Sequence, residues 1–64
     1  MSTYQMLVLR SGYLTGLAYQ KPLRSLEHAL ETARQYVSAL AAFGAIPVIE
    51  ERRPGEEPVL HPVK

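Results

Sequence analysis

Asp, Asn, Cys and Trp are all absent from this 64-residue chain. Without cysteine there is neither a disulfide framework nor a thiolate metal site. Without Asp and Asn, and with only two histidines, much of the usual vocabulary of catalysis and metal binding is missing. An excess of one charge is lacking too. Seven basic and six acidic side chains leave a net charge of +1, so no strong field draws nucleic acid or anionic lipid. No apolar run is long enough to span a bilayer, and no charged segment precedes an apolar one as in a secretory leader. The expectation is one soluble cytoplasmic domain, residues 1–64, with no cofactor and no metal.

Small size adds a constraint. A chain of this length buries only about 60% of the surface its unfolded form exposes. Small scaffolds usually add a staple or a partner, and with disulfides and thiolate metal sites gone, self-association is the common device left.

The strongest pattern present is helical. Leu26, Leu30, Ala33, Val37 and Leu40 recur on one stripe, which predicts a single amphipathic helix over 26–43. Ala29, Tyr36, Ala41 and Phe43 widen its apolar arc to roughly 160°. Glu27, Glu31, Arg34, Gln35 and Ser38 fall on the opposite side. Ser25 is a suitable N-cap and Glu27 suits the positive end of the dipole. Gly44 can take the left-handed conformation that ends a helix, and Pro47 blocks continuation.

The flanks read as strands. Thr3 to Arg10 is rich in β-formers, Ser11-Gly12 signals a turn, and Tyr13 to Gln20 follows as a second strand weakened by Gly16. Lys21-Pro22 ends it. Ile46 to Arg52 is a third strand, and Arg53-Pro54-Gly55-Glu56 suits a type II turn. Glu57 to Val63 is a fourth, confined to a sheet edge by Pro58 and Pro62. The predicted fold is α+β with the order ββαββ: a four-stranded, mainly antiparallel sheet with one helix across one face. The third strand is expected beside the first, with the second and fourth outside.

The run Ser25-Leu26-Glu27-His28-Ala29-Leu30-Glu31-Thr32-Ala33-Arg34-Gln35, then Gly44 and Val48-Ile49-Glu50, resembles small uncharacterised ββαββ domains of bacteria and their phages. Those carry a similar helix of pattern S/T-x-x-E/H-A-x-x-x-A-R, a glycine stop and an apolar strand. The resemblance covers about half the chain. It implies an architecture and no activity.

Function is read from the strand faces. Tyr4, Met6 and Val8 alternate with Leu7 and Leu9; Ile46 and Val48 alternate with Pro47 and Ile49; Val59 and Val63 alternate with Leu60. A sheet wet on one side shows cleaner apolar–polar alternation. One helix shelters one face, so the second face is expected to dock on a copy of the chain or on another protein. Leu7, Leu9, Ile49 and Leu60 are the expected interface residues. Tyr36 and Phe43, seven apart on the helix border, form a second candidate patch, with boundary sealing as their simpler role.

Nucleic-acid binding is the alternative class. Tyr4, Tyr13 and Tyr19 on a sheet surface, with Arg10, Lys21 and Arg24 near one end and Arg52-Arg53 at the second hairpin, suit stacking with phosphate contact. Glu50, Glu51, Glu56 and Glu57 surround that arginine pair and oppose the reading. Catalysis is the weakest class. His28 falls on the polar side of the helix, His61 lies in the expected edge strand, and neither has a ligand-spaced partner. Ser2 after Met1 also closes the route through an N-terminal proline base. The expectation is a non-enzymatic protein-binding module, a homodimer that occludes or bridges a partner. A phage or mobile-element accessory or inhibitor, anti-CRISPR-like, suits that size and lack of chemistry.

Overall fold

The computed structural model describes residues 2–16 and 23–64. Strands β1 (Thr3–Arg10) and β2 (Tyr13–Gly16) are followed by helices α1 (Leu26–Arg34) and α2 (Val37–Ala41), then by β3 (Ala45–Arg52) and β4 (Val59–Pro62). The four strands form one sheet in the order β2-β1-β3-β4, antiparallel at every pairing. The expected α+β class and strand order are both present. The latter part of the expected second strand, Leu17 to Gln20 with Tyr19, and the Lys21-Pro22 stop lie outside the described residues.

The first hairpin turns on two residues. Ser11 and Gly12 have φ of 52° and 80°, both positive as in the type I′ loop whose twist matches paired strands. Glycine adopts this geometry freely; serine does not. Replacing Ser11 with Asn, which tolerates the left-handed region, is expected to stabilise the fold by about 0.5–1 kcal/mol. Thermal denaturation followed by circular dichroism checks this as a rise in Tm. The second hairpin turns at Arg53 to Glu56, where the Glu56 N–H donates to the Arg53 carbonyl at 3.1 Å and Gly55 carries a φ of 75°.

Ser25 caps α1 as its position demands. Its backbone is extended and its Oγ accepts from the His28 N–H at 3.0 Å. His28 returns the favour one residue earlier, its Nδ1 accepting from the Arg24 N–H at 3.3 Å. This reciprocal arrangement is a histidine variant of the capping box. The surface histidine therefore has a local structural partner that helix periodicity alone does not show.

The single helix expected over 26–43 is two. At Gln35 and Tyr36 the N–H groups donate to the carbonyls of Thr32 and Ala33, three residues back instead of four. The α pattern resumes where the Leu40 N–H donates to the Tyr36 carbonyl. Thr32 contributes to the break. It is buried, and its Oγ1 donates to the His28 carbonyl at 2.8 Å, a back-bond that bends helices. Polar as it is, Thr32 lies inside, with its hydroxyl satisfied by that carbonyl. At the end of α2, Phe43 and Gly44 donate to the Leu40 and Ala41 carbonyls, and Gly44 at φ 69° redirects the chain into β3.

The core lies between the helices and one sheet face. Met6, Ala29, Ala33, Ile49 and Val63 are buried together, with Tyr4, Leu23, Leu26, Leu30, Tyr36 and Val37 packed around them. Ala29 and Ala33 have almost no side chain, which lets α1 lie close over Met6 and Ile49.

Candidate functional site

The antiparallel register assigns each residue to a face, because partners across a pair point the same way. Met6 pairs with Ile49 and Ile49 with His61; Tyr4 pairs with Glu51 and Glu51 with Val59. Val8 pairs with Pro47 and Thr15, and Arg10 with Ala45 and Tyr13. These residues form the helix-side face. The second face carries Leu7, Val48 and Pro62 in one row, Leu9, Ile46 and Leu14 in the next, and Glu50 beside Leu60 in a third.

This assignment corrects one expectation. Ile49 was expected on the second face with Leu7, Leu9 and Leu60; it is fully buried beneath α1. The unbroken apolar run of β3 gives no clue to which alternate set faces the helix, and the register decides it. Val48 takes the corresponding place on the second face. It is 1% exposed between Leu7 and Pro62, while Leu7, Leu9 and Ile46 are half-buried. Leu14 and Leu60, on the two outer strands, are 44% and 45% exposed. The second face is thus an apolar strip reaching from β2 to β4. At one end Glu50 Oε1 accepts from Arg52 Nε at 3.0 Å, so the two charges of its rim cancel.

Tyr36 and Phe43 part company. Tyr36 is half-buried against the core, while Phe43 is 66% exposed beyond the end of α2. Phe43 borders a groove of about 510 Å³ on the helix side of the sheet. Val8, Leu40 and Ala45 supply its apolar lining, Ser11 and Thr15 its hydroxyls, and Arg10 and Tyr13 complete it. Tyr13 is 76% exposed. Sequence reasoning placed Arg10 and Tyr13 in one candidate site and Phe43 in another; the fold brings the three together.

The remaining nucleic-acid candidates are dispersed. Tyr4 packs against the core instead of standing on an open sheet surface. Arg24 precedes α1 and is not among the residues that line the groove beside Arg10. Arg52 is held by Glu50 and Arg53 by Glu51. Tyr19 lies outside the described residues.

Glu51 is the notable buried charge. It is 5% exposed on the helix side of β3, and its two oxygens are separately engaged. Arg53 Nε donates to Oε2 at 3.1 Å, and His61 Nε2 stands 3.0 Å from Oε1. An ionised carboxylate offers only acceptors, so His61 donates through Nε2. The Arg53 hydrogen bond, followed by that of His61, holds the Glu51 carboxyl below its ordinary range, and burial opposes them only in part. The Glu51 charge in turn raises the guanidinium pKa of Arg53. The three side chains tie β4 and the second turn to the central strand. Among the described residues no group of three His, Cys, Asp or Glu is placed to hold a metal ion, and no helix is long and apolar enough to cross a membrane.

No protein-family model, curated protein or solved structure matches this chain.

Proposed function

We propose that the chain is a non-catalytic binding module that pairs with a second copy of itself through the sheet face away from the helices, and in that form occludes or bridges a protein partner. The observation that carries this reading is the apolar strip of Leu7, Leu9, Leu14, Ile46, Val48, Leu60 and Pro62, drawn from all four strands. Both helices pack on the other face; Val48 is already buried, so the surface open to a partner is the half-buried Leu7, Leu9 and Ile46 with the exposed Leu14, Leu60 and Pro62. Contiguous apolar surface of this kind marks an interaction site in soluble proteins. A second copy suits it because a twofold interface brings one patch onto itself, where an excess of one charge would repel its own copy. The Glu50–Arg52 pair leaves no such excess on this face.

The test is oligomeric state against concentration, measured by sedimentation with a 7.2 kDa monomer as reference. The wild-type chain is expected to dimerise. Leu9→Glu would bury two carboxylates in the interface and is expected to weaken association at least about tenfold while the helical circular dichroism persists. Leu60→Glu, on an edge strand and already exposed, is the second variant, and it should also dissociate the dimer. A wild-type chain that stays monomeric at millimolar concentration overturns the reading. So does a dimer that both variants leave intact. The nucleic-acid alternative retains Arg10 and Tyr13 as its unengaged contacts, and a salt-sensitive shift of a labelled oligonucleotide would favour it.

A further inference from the structure

We propose that the groove between the first hairpin and the end of α2 binds a small planar aromatic anion, a ring of one or two fused cycles carrying a single carboxylate. The groove lies on the helix side of the sheet, so this inference stands whether or not the opposite face forms a dimer. Its volume, about 510 Å³, falls in the range of small-molecule sites. Val8, Leu40 and Ala45 offer an apolar seat, and the two most exposed large apolar side chains among the described residues, Tyr13 and Phe43, both border it. Leaving two aromatic rings in water at the rim of one concavity forfeits burial that a flat ligand would restore.

Charge selects the ligand's other end. Arg10 has no carboxylate partner among the described residues, whereas Arg52 and Arg53 are each paired. None of the six glutamates lines the groove. A guanidinium presents a fork of donors suited to a carboxylate and also stacks on flat rings. Ser11 and Thr15 add hydroxyls that serve as donors to the same anion. One cation beside one apolar seat suits a monoanion of small size. A nucleic-acid strand would call for several phosphate contacts in a row, whereas Arg52 and Arg53 are paired with glutamates and Arg24 does not line the groove.

The experiment is a titration of the full chain, followed by amide chemical shifts, with 1-naphthoate and with 1-naphthalenemethanol, which has the ring without the charge. Naphthoate is expected to bind saturably in the micromolar-to-millimolar range and to shift the amides of Arg10, Tyr13 and Phe43. The neutral alcohol is expected to bind about tenfold more weakly, the difference of one charge-assisted hydrogen bond. Arg10→Gln should erase that difference, and Phe43→Ala should weaken both probes alike. Absence of saturable binding overturns the proposal. So do equal affinities for the two probes, or shifts confined to Leu7, Leu9 and Leu60. An oligothymidylate that binds more tightly than naphthoate, through the same residues and with a steep salt dependence, would overturn it in favour of a strand.

Discussion

Ile49→Ala is expected to cost about 2–5 kcal/mol, a large share of the whole stability of a domain this size. Ile49 is fully buried at the centre of the sheet, paired with Met6 on one side and His61 on the other, directly under Ala29 and Ala33. Those alanines cannot reach down to fill the space. The truncated site would keep a cavity, so the loss includes a cavity term beyond the transfer of the missing methyl groups. Stability at about 0.05–0.15 kcal/mol per residue leaves little margin, and the mutant is expected to melt at least about 10 °C lower or to be partly unfolded at room temperature. Ile49→Val, which removes one methyl group, should cost only about 0.5–1.5 kcal/mol. Urea denaturation read by circular dichroism separates these outcomes. A loss below 1 kcal/mol for Ile49→Ala would mean that the helix does not cover this side of β3. The contrast with Leu9→Glu is diagnostic: one substitution attacks folding, the other association.

Removing the Glu51 charge is expected to change both stability and its dependence on pH. In Glu51→Gln the shape is retained, but Arg53 and His61 lose their anion, so the variant should be less stable near pH 7. The direction with pH follows from the depressed carboxyl of the folded chain. The unfolded chain takes up this proton near the ordinary glutamate value of 4.5, and the folded chain only at lower pH. The stabilisation is therefore complete above the unfolded value and falls away as the pH drops through the folded one. Wild-type stability should decline on acidification below about pH 5, and the Gln variant should decline less steeply over that window. Urea titrations at pH 7, 5 and 3.5 compare the two slopes. Equal slopes would show that Glu51 is not held by Arg53 and His61 in solution. Arg53→Met should steepen nothing and weaken the effect, because the larger of the two stabilising hydrogen bonds would be gone.

Local chemistry was legible wherever its partners are neighbours in the chain. Ser25 reads as a cap because the N–H it serves is three residues on, and Ser11-Gly12 and Pro54-Gly55 read as turns because backbone sterics act over a few bonds. The strand order followed from two short hairpins joined through the helical layer. The amphipathic stripe located the helical segment and missed its division at Gln35-Tyr36, since periodicity is blind to a change from four-residue to three-residue hydrogen bonding. The capping role of His28 has a weak sequence signal, a side-chain acceptor three residues after a capping serine.

By itself the sequence determined the α+β class of the fold, the order of its four strands and its two tight turns. Only the tertiary structure decided which side of β3 faces the helices, because Ile46 to Ile49 is apolar on both alternations and a shift of one residue exchanges the faces. It alone put Ile49 in the core and Val48 opposite, tied Glu51 to Arg53 and His61, and gathered Arg10, Tyr13 and Phe43 around one groove. Arg10 and Tyr13 face each other across one tight hairpin, but Phe43 comes from the far end of the helical segment. Pairing register and helix placement set such proximities, and both are properties of long-range packing that no local pattern encodes.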